Sequence, residues 1–209
     1  MQGHPLSGRG LVGILALTPL LLVLVTRWLD QPVARWVERI LERRYGSQAA
    51  LPVYPDLLLP LVCLLTPLAW AVYYRARTGR HGGAFARACH LVGVSLPLAF
   101  LFKSALKFLF GRTATRQWLV AQPETTFHWL RGHFPNDGFP SGHMMVVTVL
   151  VLGWRSQFPA SRAASDLALV LLGAALVMTN YHFLGDVVAG WYFGFIVHRS
   201  SRALPSMQR

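Results

Sequence analysis

The sequence is poor in charge, in acid and in cysteine. Only 13% of its 209 residues are Asp, Glu, Lys or Arg, about half the share usual in a water-soluble domain. A fold whose whole surface faces water is thereby excluded. The two cysteines, Cys63 and Cys89, both fall in apolar stretches; they cannot supply a disulfide framework and read as small core hydrophobes. Lysine is nearly missing, since eighteen of the twenty basic residues are Arg and the two Lys, Lys103 and Lys107, stand four apart. Acidic residues number eight, which leaves a formal charge of +12. That balance can signal a nucleic-acid partner, but here the basic residues do not interleave with aromatics. They lie in short stretches between apolar runs, as cations flanking membrane spans do, so no nucleic acid is expected.

What the sequence has in quantity is hydrophobic runs, at Leu11–Thr26, Leu57–Tyr74, Ala88–Phe102, Met144–Phe158, Leu167–Tyr181 and Val187–Val197. A bilayer core needs about 20 helical residues at about 1.5 Å each. The fourth run carries Arg155 and the sixth is short, so each must extend into its flanks to span. The expected fold is all-α: one membrane-embedded domain over residues 1–209, with about six transmembrane helices. Arg9 followed by an apolar run resembles a signal peptide. Thr26, Arg27 and Trp28 stand where a small-residue cleavage site would, so a retained first span is expected. Gly190 and Gly194 have the small-xxx-small spacing that lets membrane helices approach closely, or are ordinary membrane-helix glycines. Trp118 and Trp129 fit interfacial belts, and His90 fits a packed helix residue.

Between the first two runs, Leu29, Val33, Trp36, Val37, Ile40 and Leu41 recur at helical spacing, with Arg35, Glu38, Arg39, Glu42 and Arg43 opposite. This predicts an amphipathic helix at the membrane surface, or else a solvated connector.

Chemistry concentrates in three tracts at span ends. Phe139-Pro140-Ser141-Gly142-His143 opens the fourth run. A given tetrapeptide such as PSGH occurs by chance in a chain of this length on the order of once per thousand proteins. Ser141 can cap the helix, Gly142 lets backbone approach a ligand, and the free N–H groups of the first turn bind anions. His143 projects beside that anion site, unless the tract is a plain turn and cap. The second tract, Asn180 to Asp186, places His182 and Asp186 four apart on one helical face. There a carboxylate can fix the tautomer of an imidazole and leave its other nitrogen free; a capping Asp beside an interfacial His is the plainer alternative. The third, Lys107 to Arg112, leaves the third run with two cations that can converge on a phosphate or merely mark a span end. Successive spans alternate direction, so all three tracts emerge on one membrane face.

These tracts resemble the type 2 phosphatidic acid phosphatase superfamily, whose signature joins a Lys/Arg segment, Pro-Ser-Gly-His, and an Arg followed by His and Asp. The likeness covers roughly Lys107 to Asp186. It implies a metal- and cofactor-independent lipid phosphate phosphatase acting on an isoprenoid or glycerolipid phosphate or diphosphate. It also implies that His182 is the nucleophile, Asp186 its support and His143 the general acid, with Lys107, Arg112, Ser141 and Gly142 holding phosphate. Two family arginines are replaced, by Ala114 and Leu176, and Arg116, two residues past Ala114, is expected to stand in for the first. The replacements leave open a lipid phosphotransferase, or a catalytically weak headgroup- or partner-binding relative. His128, His133 and Asp137 before PSGH could suggest a metal, but the loop offers no further convincing ligand. Basic residues divide ten and ten between alternate faces. The short Arg75–Arg87 segment favours cytoplasmic termini and a site facing the periplasmic side of a bacterial inner membrane.

Overall fold

The computed structural model describes residues 8–45, 57–78, 83–121, 126–132 and 136–204. They form α1 (Gly8–Leu24), a π-helical turn (Val25–Leu29), α2 (Asp30–Tyr45), α3 (Leu58–Thr78), α4 (Ala84–Phe110), the short α5 (Thr115–Ala121), α6 (Gly142–Gln157), α7 (Arg162–Met178) and α8 (Leu184–Ala203). No named strand occurs among the described residues; one isolated bridge joins Arg112 to Phe127.

Four helical stretches are long and apolar enough to cross a membrane: Val12–Arg43, Leu58–Arg77, Ala84–Phe110 and Pro159–Met178. This makes the chain an integral membrane protein, with fewer self-evident spans than the six expected. The shortfall lies in α6 and α8, which are the inner helices. α6 packs on α4, α7 and α8, and α8 also meets α1, so neighbouring helices cover much of their surface. At 16 residues, α6 is about 24 Å long.

The outer helices show lipid-facing chemistry, with Val12, Leu17, Leu64, Leu101, Val170 and Leu171 exposed. Layers such as Leu58, Val62, Leu96 and Val146, or Ala99, Met145, Val149 and Val197, fill the interior. Gly190 and Gly194 settle the packing alternative. A Cβ on Gly190 would stand 2.5 Å from the Ser141 carbonyl oxygen, and one on Gly194 would stand 2.8 Å from that of Met145. α8 thus lies against the backbone of α6, as small residues permit.

The amphipathic helix is present as α2, but it continues α1 instead of standing apart. Val12–Arg43 spans 32 residues, about 48 Å, against a bilayer core of about 30 Å. One end must therefore emerge from the bilayer. The buried stripe runs Thr18, Leu22, Val25, Asp30, Ala34, Val37, steps of 4, 3, 5, 4 and 3. The step of five is the π turn, which inserts a residue and turns the following helix in phase. Leu29 and Trp36, expected on the apolar face, are consequently 47% and 50% exposed, while Asp30 is 1% exposed. Trp118 also departs from expectation: it is buried in a cluster with Ala34 and Phe183. His90 packs as a helix residue should, stacked on Tyr73 at 4.2 Å between centroids.

Candidate active site

The third tract is shaped by Gly111, which caps α4 at φ +52°, a conformation that favours glycine. A Cβ there would lie 2.0 Å from the His128 carbonyl oxygen. The chain turns and pairs with the loop before PSGH through Thr113 N–H to Thr126, His128 N–H to Gly111 and Gly138 N–H to Arg112. Rings of Phe110, Phe127 and Phe139 pack mutually behind this turn. His128 meets the Thr113 hydroxyl, Asp137 faces Lys107, and His133 lies outside the described residues.

The PSGH tract forms the cap that its residue types allow. Ser141 precedes α6, and its hydroxyl accepts from Met144 N–H at 3.4 Å. Gly142 is buried, with Lys103 Cδ 2.6 Å from where a Cβ would stand. Ser141 N–H in turn donates to the carbonyl of Asp186 at 3.0 Å, which ties the first turn of α6 to that of α8.

Within the remaining tract, Asn180 adopts φ +50° to end α7, an αL position that Asn tolerates. His182 N–H then folds back to the Leu176 carbonyl at 3.1 Å. His182 is 6% exposed and its Nδ1 is 3.6 Å from Asp186 Oδ2, too long for a hydrogen bond. Among the described residues, that nitrogen has no hydrogen-bond partner. Tyr181 stands between the two histidines, with ring centroids 5.4 Å from His143 and 5.2 Å from His182. Arg116 reaches the same place from α5: its Nη2 donates to Thr179 O at 3.2 Å and its guanidinium lies 5.7 Å from the Tyr181 ring centroid. Burial lowers the Arg116 pKa, and Tyr181 partly offsets this; an arginine so shifted remains a cation at neutral pH.

Arg112 is the residue whose placement differs most from a phosphate ligand. It is 1% exposed, between the rings of Phe127 and Phe183. Nη1 binds Asp186 Oδ1 at 2.6 Å and Nη2 binds Asp30 Oδ2 at 2.7 Å. Burial alone would lower its pKa, but attraction to Asp186 and Asp30 and the bonds to both more than offset this and raise it. Both terminal nitrogens bind carboxylates, so in this structure Arg112 braces Asp186, while its buried Nε has no hydrogen-bond partner among the described residues. Asp30, which sequence reasoning missed, also accepts from Gly185 N–H at 2.7 Å through Oδ1. Its signal was faint: a single acid at the start of an amphipathic helix, brought onto the buried face only by the π turn.

His143, His182, Asp186, Ser141, Gly142 and Arg116 thus meet at one end of the bundle. Lys107 lies nearby on the last turn of α4, 3.6 Å from Asp137 Oδ2. Leu176, where the family arginine is missing, is buried in an apolar cluster with Met144, Leu169 and Val187. Beside that cluster, a cavity of about 610 Å³ opens between α6, α7 and α8. Its lining runs from Met144, next to His143, and Leu184, two residues past His182, along Gly173 and Leu169 to Asp166.

Two curated relatives, each called lipid A 1-phosphatase, come from Rhizobium etli and Rhizobium johnstonii. Each is 36% identical to this chain over 63 residues, a match that covers 30% of this chain and 27% and 26% of theirs. The matched stretch therefore spans about a quarter of the length of these relatives. No solved structure matches. The sequence model of the PAP2 superfamily matches residues 88–208, more than half of the chain and all three of its chemical tracts. The chain belongs to the PAP2 superfamily, the type 2 phosphatidic acid phosphatases.

Proposed function

We propose that the chain is a phosphohydrolase that removes phosphate from a membrane lipid through a covalent phosphohistidine on His182. The observation that carries this reading is the bond from Ser141 N–H to the Asp186 carbonyl. It fixes a helix N-terminus suited to an anion beside the His182–Asp186 pair, with His143 across Tyr181.

In the first step the His182 Nε2 lone pair attacks phosphorus in line. An N–P bond forms, the P–O bond to the lipid breaks, and His143 gives its proton to the departing oxygen. Asp186 closes its 3.6 Å gap to Nδ1 as the imidazole gains positive charge, since such contacts tighten only in the reacting complex. Water then attacks phosphorus and His143 recovers a proton, releasing inorganic phosphate and free His182. The N–H groups at the start of α6, Lys107 and Arg116 neutralise the three equatorial oxygens. Arg112 acts through Asp186. No metal is required in this scheme.

The apolar cavity running from Met144 to Asp166 suits an acyl or prenyl chain whose phosphate sits at the histidines. The name of the two Rhizobium relatives makes the 1-phosphate of lipid A the first substrate to test, beside isoprenoid and glycerolipid phosphates and diphosphates. The site is proposed to face the periplasmic side of a bacterial inner membrane. Purified protein in detergent, given such a panel with and without chelator, should release inorganic phosphate in both conditions. Transfer to an added lipid acceptor without phosphate release would identify a phosphotransferase instead. Binding without turnover would identify the catalytically weak relative that Ala114 and Leu176 suggest. Activity lost in chelator and restored by a divalent ion would overturn the metal-free scheme.

A further inference from the structure

We propose that Asp30 is a positioning residue for the nucleophile, acting through Arg112 and Asp186, so that the π turn of the first helix sets the geometry of the His182–Asp186 pair. The inference rests on the phosphohydrolase reading and extends it to a residue on the first helix, outside the three tracts and the segment matched by the family.

The geometry is a closed chain of short bonds. Asp30 Oδ2 accepts from Arg112 Nη2 at 2.7 Å, and Arg112 Nη1 donates to Asp186 Oδ1 at 2.6 Å. Asp30 Oδ1 accepts from Gly185 N–H at 2.7 Å, so the carboxylate grips the first turn of α8 by a second route. Asp186 Oδ2 accepts from Phe183 N–H at 3.0 Å, leaving it aimed at His182 Nδ1. All three charged side chains are at most 1% exposed. Two carboxylates face one guanidinium, so the group has anionic character to offer an imidazolium. With Asp30 removed, Arg112 would draw on Asp186 alone, and the charge left to stabilise His182 as it is phosphorylated would fall.

The fit around Asp30 is tight. A Cβ on Gly185 would lie 2.7 Å from Asp30 Oδ2. The π turn places Asp30 here, because without its extra residue the step of four from Val25 would present Leu29 to Arg112. Such one-residue insertions often mark functional positions.

A double-mutant cycle with Asp30→Asn and Asp186→Asn tests this on full-length protein in detergent. Turnover is normalised to the folded fraction measured by size-exclusion chromatography and thermal melting. Asp30→Asn should lower kcat about ten- to a hundredfold, as loss of a supporting partner does at other sites, with KM nearly unchanged. In the Asp186→Asn background the same substitution should cost little more, because the route to His182 is already cut. Equal fold-losses in both backgrounds, or wild-type kcat in Asp30→Asn, would overturn the proposal. If Asp30→Asn does not fold, Asp30→Glu carries the same cycle. It keeps the charge, but its extra methylene displaces Arg112, so it should lose kcat only where Asp186 is present; loss in both backgrounds or in neither overturns the proposal. Wild-type protein that releases no phosphate from any lipid would instead sink the phosphohydrolase reading itself.

Discussion

The backbone N–H of Ser141 donates to the backbone carbonyl of Asp186 at 3.0 Å, joining two helix starts 45 residues apart in the chain. One start presents Ser141, Gly142 and His143 and the other presents a histidine with a carboxylate. Substitutions that loosen this joint should damage the site even where they touch no substrate.

Gly190 is the sharpest place to test that joint, since a Cβ would meet the Ser141 oxygen at 2.5 Å and Met144 Cβ at 2.9 Å. Gly190→Ala should lose about 1–3 kcal/mol of stability by overpacking and lower kcat as well. Gly13→Ala, in α1 with nothing within 4 Å, should leave both unchanged or raise the melting temperature slightly. Equal melting temperatures for the two variants would show that α6 and α8 have slack.

Arg116 should supply part of the cationic charge missing at Ala114. Its reach to Thr179 and Tyr181 puts it against the ring that packs on both histidines. Arg116→Ala is therefore expected to cost about 2–4 kcal/mol of transition-state stabilisation, the range for a removed oxyanion donor. Arg131→Ala, at an exposed loop position, should cost little. Similar kcat/KM values for both variants and the wild type would end the surrogate role.

The cavity between α6, α7 and α8 should govern chain length. Gly173 lines it, and a Leu there fills space that a long chain would occupy. Gly173→Leu should raise KM for long-chain lipid phosphates and spare short-chain ones. An equal effect on both, measured in matched detergent, would mean that the cavity holds only bulk lipid.

Sidedness can be read from Ala121, the exposed end of α5. A cysteine placed there should react with an impermeant thiol reagent in intact bacteria. Protection until the membrane is opened would reverse the proposed orientation.

Much of the site was legible because its signals are local. A Ser cap, a glycine and a histidine in sequence become neighbours through local geometry. His182, by contrast, precedes α8, whose N-cap is Phe183, so it reaches Asp186 from the bend before the helix and not from the shared helical face expected. Gly190 and Gly194 were legible in part: their spacing raised close packing as one of two readings, and the short distances to Ser141 and Met145 decided it. The carboxylate partners of Arg112 were not legible, because Asp186 and Asp30 lie 74 and 82 residues away and no local pattern announces an ion pair of that range. Asp30 was hidden by the π turn, since a constant period predicts Leu29 on the buried face. The helical class and membrane setting followed from the apolar runs. The number of spans did not, because α6 is only 16 residues long and α8 carries Asp186 at its start and His198, Arg199 and Arg202 at its end.

The central claim is that His182 becomes covalently phosphorylated. Protein quenched in alkali during turnover of a labelled lipid phosphate should carry label that is stable to base, released by acid, and mapped to the peptide holding His182. His182→Ala should carry no label and release no phosphate, whereas His143→Ala should slow the appearance of phosphate without moving the label to another residue. Normal phosphate release by His182→Ala, or label found on a different side chain, would contradict the account.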